Sequence, residues 1–256
     1  MAPDIKAYFR EIDDKVDLAY KTANKARKLG YDPEYEAGIP LAKNMAERVE
    51  GIIGVLTPEI LNSGLSKRIQ ELEKKFGKLD FKVALSIAIE VVNEKFCKFE
   101  SKIKAMESGI RVGLAYLTLG VVSSPLEGFV ELKIKKRKDG KEYFCLMYSG
   151  PIRSAGGTAG ALSVVIADYV RKNFGYYPYD PTEDEVKRMA TELYDYHERI
   201  TNLQYLPSQE EIKFLVRNLP VQIDGDSSEK IEVSNYKDLE RIETNKIRSG
   251  PCLVLG

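Results

Sequence analysis

At 256 residues and 43% hydrophobic composition, the chain is long enough to bury a core and too apolar to be disordered as a whole, and its length allows one large domain or a small one beside a larger one. Its 39 Lys and Arg balance 39 Asp and Glu, so no global field draws it onto a polyanion, and any nucleic-acid contact must come from a local patch. Cys97, Cys145 and Cys252 lack the close spacing of a zinc set, and with no secretion signal or membrane span in the apolar pattern they read as thiols of a cytoplasmic protein.

From the amino end, Ile5, Tyr8, Phe9, Ile12, Val16, Ala19, Ala23 and Ala26 recur at three- and four-residue steps between charged residues, which predicts an amphipathic helix over residues 4–28. Gly30 and Pro33 end it, and a loop from Gly30 to Pro40 follows. One apolar stripe needs a partner surface. That partner is either its own domain or, if residues 1–38 form a detachable arm, another subunit or a distant domain. Residues 39–256 then form a helix-rich body, with helices expected near 41–53, 58–61, 65–76, 79–96 and 100–119, the last ending near Gly120. Thr57-Pro58-Glu59 supplies a cap followed by a first-turn proline. Ala84, Ile87, Ala88, Val91 and Val92 are dense enough to put the 79–96 helix in the core.

The period then changes. Val130, Leu132 and Ile134 alternate with Glu131, Lys133 and Lys135, and Asp139-Gly140 leads into Tyr143 to Tyr148, the pattern of a β-hairpin near 128–149 with one wet face. A helix is expected over 158–174, and two capping boxes, Thr182 with Glu185 and Ser208 with Glu211, mark the next starts. Beyond Pro220 the chain reads as extended and loop-rich through 221–223, 231–233 and 252–255. The expected fold class is α+β, predominantly α-helical, with a small antiparallel hairpin or sheet.

The sharpest local signal is Gly150-Pro151-Ile152-Arg153-Ser154-Ala155-Gly156-Gly157-Thr158, a turn that leaves a strand and enters a helix. Such a turn bares amides at a helix N-terminus, where an anion is favoured, and Arg153 adds a cation suited to phosphate. A lysine-bearing P-loop is absent, and a dinucleotide fingerprint fails on glycine spacing and on its hairpin context. The turn therefore either packs a helix closely on a strand or presents Arg153 to a nucleic-acid backbone. Lys133, Lys135, Lys136, Arg137, Lys138 and Lys141 cluster on the hairpin, partly offset by Glu131, Asp139 and Glu142. That strip either tracks phosphates or guards a solvated strand edge.

His197, the single histidine, has no partners for a nucleophilic triad. Asp224-Gly225-Asp226 is the best-spaced carboxylate pair for a metal, but Ser227, Ser228 and Glu229 do not continue a calcium loop. Asp180, Glu183, Asp184 and Glu185 suit a helix start. No catalytic residue, metal site or cofactor is expected within these residues.

Three passages resemble the large subunit of the archaeal family D DNA polymerases. They are Lys135 to Tyr143 with Gly150 to Thr158; then Leu203 to Ser208 with Glu210-Glu211-Ile212 and Val216-Arg217-Asn218; then Glu232-Val233-Ser234 with Tyr236, Asp238-Leu239, Arg241-Ile242-Glu243-Thr244-Asn245 and Arg248. Ile39-Pro40, Met45-Ala46 and Arg48-Val49-Glu50 match the family's start more loosely, so the resemblance covers nearly the whole chain. One departure is Ser249-Gly250-Pro251, where the family more often has a glycine pair without proline.

The resemblance implies a piece of a replicase whose catalytic aspartates and magnesium lie downstream, and whose small subunit carries a 3′ to 5′ exonuclease. The family's amino-terminal region is linked to DNA binding and subunit assembly, and its first residues reach a distant part of the enzyme. Because Cys252 to Gly256 fall inside the third passage, a fragment is expected: a truncated product, a split gene or an intein break. The reading is a non-catalytic assembly and DNA-supporting region with Lys135, Arg137, Arg153, Arg241 and Arg248 as phosphate contacts. Its expected partners are the small subunit, the downstream catalytic region and DNA, with no membrane. The rivals are a protein-binding scaffold without DNA contact and a free-standing phosphate-binding enzyme.

Overall fold

The computed structural model of the protein describes residues 3–31, 42–118 and 123–256, in two units, Met1–Ala42 and Lys43–Gly256. In the first, α1 (Pro3–Lys28) has Asp4 in its first turn and Lys25, Arg27 and Lys28 in its last, which complements the helix dipole. It closes where predicted. Gly30, at φ +79°, donates to the Arg27 carbonyl and Tyr31 donates to Ala26, a Schellman closure that needs the left-handed glycine. Within this unit, Ile5, Tyr8 and Phe9 of the apolar stripe are between 45% and 61% exposed. The expected loop beyond Tyr31, including Pro33 and Pro40, lies outside the described residues, as do Leu41, Leu119 and Gly120.

The second unit begins with four helices, α2 (Met45–Gly54), α3 (Leu65–Phe76), α4 (Phe81–Val92) and α5 (Lys102–Thr118), around a core of Val49, Ile53, Ile69, Ile87 and Tyr116. Asn44 caps α2 by accepting the Glu47 amide at 3.0 Å, and Asp80 caps α4 by accepting the Lys82 amide at 2.7 Å. α4 is shorter than the predicted 79–96 helix because Leu79 and Glu94 sit at φ +61° and +55°, outside helical space. Its apolar face is buried as expected, and α5 approaches it closely: a Cβ on Gly109 would lie 2.7 Å from the Ala88 carbonyl oxygen. Thr57 does not cap. Its hydroxyl lies 3.4 Å from that of Ser108, and Pro58–Ile60 makes a 3-10 turn.

β1 (Phe129–Lys136) and β2 (Glu142–Tyr148) form the expected antiparallel hairpin, and β3 (Gln222–Asp224) adds in parallel on the far side of β2. The wet face predicted for the hairpin is missing from β2, where Tyr143 to Tyr148 are all buried. A central strand is covered on both faces. Phe144, Leu146 and Tyr148 enter a core with α5 and α6 (Gly157–Asn173). On the other face, Tyr143 stacks on Tyr179 at 5.3 Å and donates to Gln222 at 2.8 Å.

α7 (Glu183–Arg199) and α8 (Gln209–Asn218) begin at the two predicted capping boxes, each closed reciprocally: Thr182 with Glu185, and Ser208 with Glu211. The predicted extended run at 252–255 is instead helical, in α9 (Ser249–Leu255). Short apolar runs read alike as strand and buried helix, and here Gly250 decides by letting α9 sit on β2, where a Cβ would lie 2.4 Å from the Tyr148 carbonyl.

Candidate nucleic-acid interface

β2 delivers the chain into the glycine-rich turn at Ser149. Gly150–Ala155 forms a 3-10 turn, and Gly156, at φ +71°, redirects the backbone into α6. The turn is clamped from the strand side: the Ser149 hydroxyl donates to the Glu127 carbonyl, Ser154 and Ser123 hydroxyls meet at 2.6 Å, and a Cβ on Gly128 would lie 2.7 Å from Ile152 Cα. Gly156 is required by its positive φ and Gly128 by its close approach to Ile152, while a Cβ on Gly150 would lie 3.3 Å from Ser249 Oγ. Arg153 is exposed, and among the described residues it has no ion pair and reaches only the Tyr196 hydroxyl, at 3.5 Å.

The hairpin cations have different surroundings. Lys133 and Lys135 share a face, as alternation requires, and it is the face of Tyr143 and Cys145. Lys133 Nζ lies 2.9 and 3.0 Å from the two Glu243 carboxylate oxygens. Lys135 is 15% exposed and donates to Asp224 Oδ2 at 3.0 Å and to the Arg241 carbonyl at 2.9 Å. Arg137 donates to the Pro178 carbonyl at 2.9 Å and is flanked by Asp139 and Asp180 at 3.3 and 3.5 Å. Lys136 and Lys138 are exposed and make no ion pair among the described residues.

Arg241 and Arg248 are engaged more deeply. Arg241 binds Glu185 through Nε at 2.8 Å and Nη2 at 2.6 Å, binds Asp180 at 2.6 Å, and lies over the rings of Tyr143 and Tyr179. Arg248 is 0% exposed and spans Glu192 and Asp224, with Nε 2.9 Å from Glu192 Oε1. Of the cations expected from sequence to meet phosphate, Lys135, Arg137, Arg241 and Arg248 are thus held by carboxylates of this chain, and only Arg153 has none among the described residues. Their desolvated, paired geometry makes them internal ties between the hairpin, α7 and the 222–248 segment.

Charge balance in this layer is tight. Burial pushes the Asp224 carboxyl up, but Arg248, Lys135 and the Gly225 amide overcome it and hold the group below the usual carboxylate range. Against the same burial, Glu192 and Asp224 keep the Arg248 guanidinium firmly charged. Arg188, which shares Glu192 with Arg248, is lowered by burial. Both Asp224 oxygens are therefore committed to cations, and the Asp224-Gly225-Asp226 pair does not offer a metal ligand set. His197 closes the turn after α7: its Nδ1 accepts the Leu203 amide at 3.0 Å.

Sequence reasoning missed this ion network and a second buried pair, Glu107 with Arg111 at 3.1 Å. The four-residue spacing of Glu107/Arg111 and Arg188/Glu192 was available as a helical signal. No local pattern joins Glu192 to Arg248, which are 56 residues apart.

Residues 7–256 match the family described as DNA polymerase II large subunit DP2, N-terminal. DNA polymerase II large subunits of Nanoarchaeum equitans and Methanococcus maripaludis are 48% and 47% identical over 248 residues, covering 97% of this chain and 20% and 21% of those proteins. That of Thermococcus kodakarensis is 42% identical over 256 residues, covering 99% of this chain and 14% of its own length. The chain thus spans about a fifth or less of these relatives.

Proposed function

The chain belongs to the DNA polymerase II large-subunit family, whose amino-terminal region it matches, and from that membership we propose that it is a non-catalytic assembly and DNA-supporting region of a replicative DNA-directed DNA polymerase. The parent enzyme extends primers by nucleotidyl transfer, alongside a small subunit that carries 3′ to 5′ exonuclease activity. The observation that carries the reading is the fate of the buried acids. Metal-assisted nucleotidyl transfer needs converging carboxylates open to cations. Here Asp224, Glu192, Glu185 and Glu107 are each paired with an Arg or Lys of the chain itself. Among the described residues no group of three His, Cys, Asp or Glu side chains is placed to hold a metal ion.

What these pairs supply is a stiff support. Lys135, Arg137, Arg241 and Arg248 brace the hairpin from behind, while Arg153, Lys136 and Lys138 remain available to a phosphate backbone. The apolar stripe of α1 suits a docking arm toward another part of the polymerase. No helix among the described residues is long and apolar enough to cross a membrane.

Labelled-oligonucleotide titration tests the reading. Replacing Arg153, Lys136 and Lys138 by Ala should weaken binding tenfold or more, and should flatten the dependence of log affinity on log salt by about 0.9 per lost contact on duplex DNA. A chain that binds no DNA at low salt would be a protein-binding scaffold only. Nucleotide incorporation by the purified 256-residue chain would overturn the non-catalytic assignment.

A further inference from the structure

We propose that the corner between α3 and α4 is a second contact surface for a nucleic-acid phosphodiester backbone, formed by Lys74, Lys75, Lys78 and Lys82. All four side chains are exposed, and among the described residues none has a carboxylate partner. The ammonium groups of Lys75 and Lys82 converge on the Phe76 ring, at 4.9 and 5.9 Å from its centroid, and Lys74 and Lys78 line one groove beside Gln70 and Leu79. The proposal takes the identity of the polyanion from the DNA-supporting reading; the surface itself stands on these contacts.

Nearby acids are each engaged by other groups, although Glu73 lines the same groove as Lys74 and Lys78. Glu71 and Glu90 both bind Arg68, at 3.0 and 2.8 Å. Glu73 accepts from the Tyr116 hydroxyl at 3.1 Å, and Asp80 is the α4 cap. This is the reverse of the hairpin, where most cations have an acid of their own. Helix electrostatics explains only part of the cluster. Lys74 and Lys75 sit in the last turn of α3, where a cation is favoured, but Lys82 sits in the first turn of α4, where it is disfavoured, and Lys78 lies between the helices.

The mount is rigid. Gly77 and Leu79 take φ values of +102° and +61°, and the Leu79 amide donates at 2.8 Å to the hydroxyl of the buried Tyr116. Leu79 and Phe81, 54% and 40% exposed, add apolar contact beside the charges. Bases and sugars of a single strand use such contact, and a free phosphate does not.

The test is fluorescence anisotropy with labelled single- and double-stranded oligonucleotides across a salt series. It compares the wild type, K74Q/K75Q/K78Q/K82Q, K136Q/K138Q/R153Q and a charge-matched control, K98Q/K172Q/K213Q/K237Q, whose lysines all have carboxylate partners. The corner variant should melt like the wild type, bind at least tenfold more weakly, and show a salt slope flatter by about 2 to 4. Wild-type affinity and slope in the corner variant, or an equal loss in the control, overturns the proposal. When the loss appears only in the hairpin variant, the corner fails and the DNA-supporting reading stands. Absence of binding by the wild type defeats both.

Discussion

Glu192→Ala removes the shared acid from two buried guanidiniums. The side chains of Arg188, Arg248 and Glu192 are all 0% exposed. Glu192 accepts from Arg188 Nε at 3.1 Å, and from the Arg248 backbone amide at 2.7 Å and Nε at 2.9 Å. Without it, Arg248 retains Asp224, and Arg188 retains the carbonyls of Tyr236 and Thr244, at 3.1 and 2.8 Å. Breaking one side of a buried pair costs about 3 to 5 kcal/mol, chiefly because a desolvated charge is left uncompensated. With a urea m-value of about 3 kcal/mol/M for a chain of this size, the unfolding midpoint should fall by about 1 M or more. Urea titration followed by circular dichroism measures it. Glu183→Ala is the control: its Arg217 pair is largely exposed, and its unfolding midpoint should stay close to that of the wild type. If Glu192→Ala unfolds within about 1 kcal/mol of the wild type, the network is hydrated and the tie described above does not exist.

Two further outcomes follow from the same region. Gly250→Ala should destabilise by about 3 kcal/mol or more because its Cβ meets the Tyr148 backbone, whereas Gly51→Ala, with no atom within 4 Å, should be neutral or slightly stabilising; urea midpoints read both. For Asp224, the folded carboxyl titrates below its unfolded value of about 3.9, so the folded state binds fewer protons and the stabilisation is complete above that pH. It is lost as pH falls through the lower folded value. The stability gap between wild type and Asp224→Asn should therefore hold steady above about pH 4 and narrow below it, and a gap that widens in acid would refute the pairing.

Much of the helical architecture was legible because its signals are local. Thr182 with Glu185 and Ser208 with Glu211 satisfy amides three residues away, and Gly30 closes α1 over its last turn. Errors arose where distant chain intervened. Leu79 leaves the helical region in a turn where its amide meets Tyr116, 37 residues on, so α4 starts later than its apolar pattern allows. Tyr143, Cys145 and Met147 read as one face of a hairpin with a wet side, but all three are buried, and Tyr179 and Arg241 from distant segments lie over Tyr143. The pairing of Lys135, Arg241 and Arg248 was hidden likewise, since their acids come from other elements, whereas Arg137 meets both its neighbour Asp139 and the distant Asp180. The α3–α4 lysines went unremarked because ordinary helix composition hides them until partner geometry is known.

Period, capping and family motifs in the sequence alone determined the fold class, the two capped helices, the hairpin and the DNA polymerase II large-subunit assignment. These are carried by residues close together or by motifs in order. Only the tertiary structure decided which charges are spent internally and which remain for a partner. Compensation of a charge depends on through-space distance and desolvation, and Glu192 meeting Arg248 across 56 residues has no counterpart in the linear pattern.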